Sequence, residues 1–136
     1  MDVIDDFKEW MDNRISALGN MIADAQRQNA VIQEKIDRLN EASRQITASY
    51  DKANATKNDI GGYSPGDNWK GNKRDTFNQE KDDVRNKCNT YCDALMRTRD
   101  QLQSKRLELE AQQWDLLGMI QSWKSQAESL WNQLTN

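Results

Sequence analysis

Asn58-Asp59-Ile60-Gly61-Gly62-Tyr63-Ser64-Pro65-Gly66-Asp67-Asn68-Trp69-Lys70-Gly71 is the one stretch of this chain that reads as a loop. It gathers four of the six glycines and the only proline, the residues that interrupt helices. On either side the pattern is helical. Read in steps of seven from Lys8, the upstream segment keeps an unbroken heptad repeat. Its a positions are Lys8, Ile15, Ile22, Asn29, Ile36, Ser43 and Tyr50, and its d positions are Ile4, Met11, Leu18, Ala25, Ile32, Leu39, Ile46 and Ala53. The spacing predicts a first helix over about 2–57, about 80 Å long at 1.5 Å per residue. Asn29, polar at an a position, pins register at some cost in stability.

Downstream, Asn72 is placed to cap a second helix, with Asp75 favouring its N-terminus. That helix is expected over about 73–134. Its apolar stripe runs through Phe77, Val84, Cys88, Tyr91, Leu95, Leu102 and Leu109, then Leu116, Ile120, Trp123, Ala127, Leu130 and Leu134. After Leu109 the apolar set drifts from strict heptads, as in a straight helix. Neither helix buries its stripe alone, so the two fold back on each other. The chain therefore reads as all-α: one domain over 1–136, a long antiparallel two-helix hairpin, coiled-coil-like, with the loop over about 58–72 at its tip. Pairing centred on that loop opposes residues whose numbers sum to about 130. Trp10 then lies near Ile120 and Phe7 near Trp123.

Composition excludes several function classes. Of 136 residues, 36% are hydrophobic and 30% charged. That is thin for a globule and ordinary for a hairpin that buries one stripe per helix. A net charge of -3 offers nothing to nucleic acid or to an anionic membrane. Lys70, Lys73 and Arg74 read as a solvated loop edge rather than a phosphate site. No apolar run approaches the roughly 18 residues of a membrane span. The start, Met1-Asp2-Val3-Ile4-Asp5-Asp6, is acidic where a secretory signal is basic, so no signal peptide and synthesis in the cytoplasm are expected.

Histidine is absent, which removes the commonest general base and the commonest metal ligand. Cys88 and Cys92, four apart, cannot close a zinc site alone and suit a disulfide poorly. They read as small core residues, with reactive thiols as the alternative. Carboxylates such as Asp5, Asp6, Glu108 and Glu110 fall on polar faces. The expectation is a protein that is not an enzyme and takes no metal or cofactor.

Trp69-Lys70-Gly71, with Phe77 six residues after the glycine, is the sharpest local feature. A glycine tolerates the tight entry from loop into helix, and the tryptophan closes the apolar seam with Phe77 beneath it. The stretch Asn68-Trp69-Lys70-Gly71-Asn72-Lys73-Arg74-Asp75-Thr76-Phe77 resembles the motif of the WXG-type small proteins of type VII secretion. More closely, it is similar to the YwqH-like family found beside LXG toxin genes in Gram-positive bacteria. The motif covers only the tip; length and helical layout match over nearly the whole chain. The resemblance implies a helical hairpin that binds a partner of similar shape, which in LXG systems is the long helical N-terminal domain of the toxin. The Tyr-x-x-x-Asp/Glu export signal of WXG-type systems is not matched near the C-terminus, because Tyr91 is followed at +4 by Leu95. The literal match from Tyr63 to Asp67 contains Pro65 and Gly66, which forbid a helix. The signal is then supplied by a partner or built from several helices.

The second feature is a surplus of apolar surface at the free ends. Trp10, Trp114, Trp123 and Trp131 lie far from the loop, and Val3, Phe7, Trp10, Met21 and Val31 take c and g positions. They widen the stripe beyond what one seam covers. Tryptophan and methionine are common interface anchors. Val3, Phe7, Trp10, Met21, Trp114, Trp123 and Trp131 therefore form the expected partner-binding set. The occupant is the helical domain of a secreted toxin or another small helical protein, or a second copy in a homodimer. The function expected is a partner or targeting chaperone for an LXG toxin, delivered or co-secreted with it through a type VII system. The alternative is a self-associating structural coiled coil without cargo.

Overall fold

The structure, a computed structural model, describes residues 3–64, 66 and 71–136. It contains two helices, α1 (Val3–Gly62) and α2 (Asn72–Thr135), and no strand among the described residues. The fold is all-α, a hairpin of two long helices. The chain packs as two units, Met1–Arg38 with Arg106–Asn136, and Leu39–Lys105. Within each, the two helices run antiparallel.

α1 starts with Asp5 and Asp6 in its first turn, where carboxylates complement the partial positive charge of a helix N-terminus. The spacing predicts an end near residue 57, but α1 continues through Asn58, Asp59 and Ile60 and uses Gly61 and Gly62 as its last turn. Each glycine weakens a helix by only about 1 kcal/mol, and half-buried Ile60 holds the turn in place. The Tyr63 amide closes it by donating to the Ile60 carbonyl at 3.2 Å. At the start of α2, Gly71 rather than Asn72 takes the capping position. Its carbonyl accepts the Asp75 amide at 3.1 Å, and its φ is +70°. That backbone conformation strains any L residue, so the cap falls on the glycine and Asn72 becomes the first helical residue.

In the unit of Met1–Arg38 with Arg106–Asn136, the core is Met11, Leu18, Ala25 and Ile36 from α1 and Leu109 and Ile120 from α2. Each large side chain buried this way contributes about 1.5–3 kcal/mol. Leu18 is fully buried. Ile15, Ile22 and Ile32 are half-buried beside them, as the a/d reading of α1 requires. Ile4 and Lys8, also a/d by sequence, are exposed at the free end of the seam, near where α2 ends at Thr135. On α2 the seam keeps strict alternation of three and four: Arg106, Leu109, Gln113, Leu116, Ile120, Trp123, Ala127, Leu130 and Leu134 are all at least half-buried. The expected drift after Leu109 does not occur. It came from following apolarity alone, whereas Arg106 and Gln113 hold seam positions with their aliphatic stems.

In the unit Leu39–Lys105, Cys92 is the buried residue, with Leu39, Ile46, Ala53, Leu95 and Leu102 half-buried around the same seam. Val84 and Tyr91, assigned to the stripe by sequence, are exposed. Cys88 and Cys92 are one step of four apart and Leu95 follows at three, so the seam passes through Cys92 and turns Tyr91 outward. Cys92, read as lying beside the stripe, is therefore more buried than Cys88.

The register differs from a pairing centred on the loop. The Gln113 amide donates to Gln33 Oε1 at 2.9 Å, about two heptads further along α2 than that pairing allows. Trp10 lines a groove with Ser129 and Leu130 rather than lying opposite Ile120, so Phe7, one turn earlier, is not at the level of Trp123. In the other unit, Tyr63 lies against Phe77 and Lys81, and Gly61 lies beside Arg85. The last turn of α1 thus packs well inside α2, whose first residues extend past it. The sequence midpoint between the helices therefore does not mark the centre of pairing.

Candidate partner-binding faces

At the tip, Phe77 is half-buried and its ring lies 5.7 Å from that of Tyr63, tilted by 53°. Lys81 Nζ donates to the Tyr63 carbonyl at 2.7 Å, which ties the end of α1 to the second turn-pair of α2. Ile60, Tyr63, Phe77, Glu80, Lys81 and Val84 line a groove of about 300 Å³ there. The motif residue Trp69 lies outside the described residues, as do Pro65 and Asp67 of the literal Tyr63–Asp67 match. Sequence reasoning did not find Tyr63 or Lys81 as tip residues. A tyrosine after Gly-Gly carries no periodic signal, and the Lys81 bond is made to a backbone carbonyl.

The expected partner-binding residues separate into three groups. Val3, Phe7 and Trp10 are exposed on α1, Trp114 and Trp131 are exposed on α2, and Met21 and Trp123 are half-buried. Trp123 occupies a seam position, seven residues from Leu116 and from Leu130, and contributes to holding the hairpin itself. Phe7 and Trp10 stack, their ring centroids 6.0 Å apart and 17° from parallel. Trp10 and Arg14 line a groove of about 500 Å³ with Ser122, Ser125, Gln126 and Ser129 of α2.

Trp114 and Trp131 do not share that groove. At 100° per residue, Trp131 points roughly 140° away from Gln126 around α2. Leu107 and Leu117, both exposed, share the side of Trp114 and Trp131. Unit Met1–Arg38 with Arg106–Asn136 therefore carries two apolar flanks on opposite sides: an α1 flank with Phe7 and Trp10, and an α2 flank with Leu107, Trp114, Leu117 and Trp131. The α2 flank was legible in part, through its tryptophans. Leu107 and Leu117 were missed because they lie off the stripe, two residues before Leu109 and one after Leu116, and only tryptophans were looked for on that side.

Among the described residues, no charged side chain is fully buried. Glu41 accepts from Arg44 at 2.6 and 3.0 Å and from Gln45 at 3.3 Å. The Arg44 hydrogen bond, and then that of Gln45, holds the Glu41 carboxyl below the ordinary glutamate range. Both cysteines are free thiols. Among the described residues, no three cysteine, aspartate or glutamate side chains gather in a metal-binding cluster, and no helix is long and apolar enough to cross a membrane.

The YwqH-like family model matches residues 13–132. The chain belongs to the YwqH-like family. The match spans both helices and the segment between them, so the family's sequence pattern is a property of the whole hairpin rather than of the tip motif. Neither the curated proteins nor the solved structures include a match to this YwqH-like chain.

Proposed function

We propose that this YwqH-like protein is a helical partner, acting as a targeting chaperone, for the N-terminal helical domain of an LXG toxin handled by type VII secretion. In this reading it performs no reaction and needs no cofactor. It travels to the export machinery with the toxin. The observation that carries the reading is the uncovered α2 flank. Trp131 is 56% exposed and Trp114 76%, on a helix whose seam already satisfies the hairpin. Leaving such side chains in water forgoes about 1.5–3 kcal/mol of apolar burial for each and invites aggregation. A helix laid along a flank covers them at the crossing angles usual in helix bundles. Family membership supports the same reading through the genomic neighbourhood that such proteins share with LXG toxins.

The test is co-purification of the full chain with the N-terminal domain of the adjacent LXG toxin, with the mass of the complex read by light scattering. A complex of defined stoichiometry is expected, weakened by Trp114→Ser with Trp131→Ser. Two proteins that elute separately at every concentration would sink the proposal.

A further inference from the structure

Two grooves open on the same flank of α1, one on either side of Gly19. The first holds Trp10 and Arg14. The second, of about 490 Å³, is lined by Asp24, Arg27, Gln28, Val31 and Lys35 on the outer side of Ile32. Phe7, Trp10, Arg14, Ala17, Met21, Asp24, Gln28 and Val31 fall on this one flank, at the alternating steps of three and four that make a helical seam. Phe7 and Val31 are exposed at its two ends, Arg14 and Asp24 lie further in, and Ala17 and Met21 are at its centre. About the centre the charges and the outer apolar residues are symmetric in kind: Phe7, Arg14 and Ala17 on one side, Met21, Asp24 and Val31 on the other, while Trp10 is matched by the polar Gln28.

We propose that this flank binds the same flank of a second copy, antiparallel, about a two-fold axis between Ala17 and Met21. In that register Phe7 meets Val31 of the second copy, Arg14 meets its Asp24, and Ala17 meets its Met21. The two-fold repeats each contact, as an isologous interface does. Charge selects this arrangement. Parallel pairing would set Arg14 against Arg14 and Asp24 against Asp24. Sliding one copy by a heptad, two turns, either way sets Phe7 on Asp24 or Arg14 on Val31, which buries a charge against an apolar group. Of these heptad registers, the one centred between Ala17 and Met21 joins Arg14 to Asp24 and Phe7 to Val31, with Trp10 beside Gln28 and Val3 beside the aliphatic stem of Lys35. The Phe7–Trp10 stack is the ridge and the Asp24–Val31 groove is its receptacle. Asp24 already holds Arg27 on its own helix, which keeps its carboxylate on the outer surface within reach of a second cation. The α1 flank is thereby assigned to self-association, and the α2 flank is left for a helical partner.

The experiment uses the full chain alone, with mass from light scattering and helicity from circular dichroism. Wild type is expected as a dimer. Arg14→Asp and Asp24→Arg are each expected to raise the dimer dissociation constant at least about tenfold, because like charges then meet twice across the axis. Mixing the two variants is expected to restore a dimer, because in the heterodimer both positions carry opposite charges again. That recovery also shows that both variants are folded. A monomeric wild type, single variants that dimerise as wild type does, or a mixture that remains monomeric would each overturn the assignment. No toxin domain enters the experiment, so its outcome is independent of the function proposed above.

Discussion

Gln113 donates its side-chain amide to the side-chain carbonyl of Gln33, and the Gln33 amide in turn donates to Asp37 at 3.0 Å. This bond sets the register of the two helices in its unit, because a slip of one heptad would carry the two amides about 10 Å apart. The register is open to a direct check. Gln33→Cys with Gln113→Cys, with both native cysteines replaced by serine, should be joined by a bismaleimide matched to the roughly 8–10 Å between packed helices. Gln33→Cys with Arg106→Cys, one heptad back, should not. Equal cross-linking of the two pairs would show that the register slips.

Two glycines give the same substitution opposite signs. Gly71 has φ +70° and open space where a Cβ would go, so Gly71→Ala is expected to destabilise through backbone strain alone, by about 1–2 kcal/mol. Gly19 lies inside α1, with nothing within 4 Å of its Cβ position. Gly19→Ala is expected to stabilise by up to about 1 kcal/mol, through helix propensity and a stiffer unfolded chain. Urea denaturation of both variants reads the two signs.

The heptads of α1 made the hairpin and its inner stripe readable before any coordinates, since a/d residues from Met11 to Ala53 do turn inward. The register was not readable in the same way. Each helix repeats a similar apolar pattern over many turns, and a shift by whole heptads still matches apolar to apolar. What distinguishes one shift from another are the polar members of the α2 seam, Arg106 and Gln113, and the exposed Gln33 that Gln113 meets, and these were passed over. The end of α1 was misplaced for a related reason: Gly61 and Gly62 read as breakers, but a helix with half-buried Ile60 in its last turn continues through them. The tryptophans announced uncovered surface correctly for Trp10, Trp114 and Trp131. Type alone could not separate them from Trp123, which the seven-residue step places in the seam.

Asn29 gives the third prediction. Its Oδ1 is buried with no hydrogen-bond partner among the described residues, at an a position between Ile22 and Ile36. A buried unsatisfied carbonyl costs about 1–3 kcal/mol. Asn29→Ile is therefore expected to raise the unfolding free energy by about 1–2 kcal/mol in urea titration. The same variant should lose specificity, detected as cross-linking of Gln33→Cys with Arg106→Cys as well as with Gln113→Cys. A variant less stable than wild type would mean that Asn29 is satisfied in solution.

The aromatic residues at the free ends allow three roles to be separated with one pair of measurements. Phe7 and Trp10 are exposed and stacked on the α1 flank, Trp114 and Trp131 are exposed on the α2 flank, and Trp123 is half-buried in the seam. Replacing a surface residue rarely moves stability by more than about 0.5 kcal/mol, whereas truncating a core aromatic costs about 3–5 kcal/mol and proportionately less when half-buried. Phe7→Ser with Trp10→Ser should therefore keep the far-ultraviolet circular dichroism of the hairpin and its thermal midpoint, and lose the dimer in light scattering. Trp114→Ser with Trp131→Ser should keep both helicity and the dimer, and lose the helical partner in co-purification. Trp123→Ser should lower the thermal midpoint itself and weaken every association in proportion. If the Phe7 and Trp10 changes lower helicity along with association, those residues belong to the hairpin core and the α1 flank is not an interface. If the Trp114 and Trp131 changes leave partner binding at wild-type strength, the partner is held elsewhere, and the α2 flank needs another occupant.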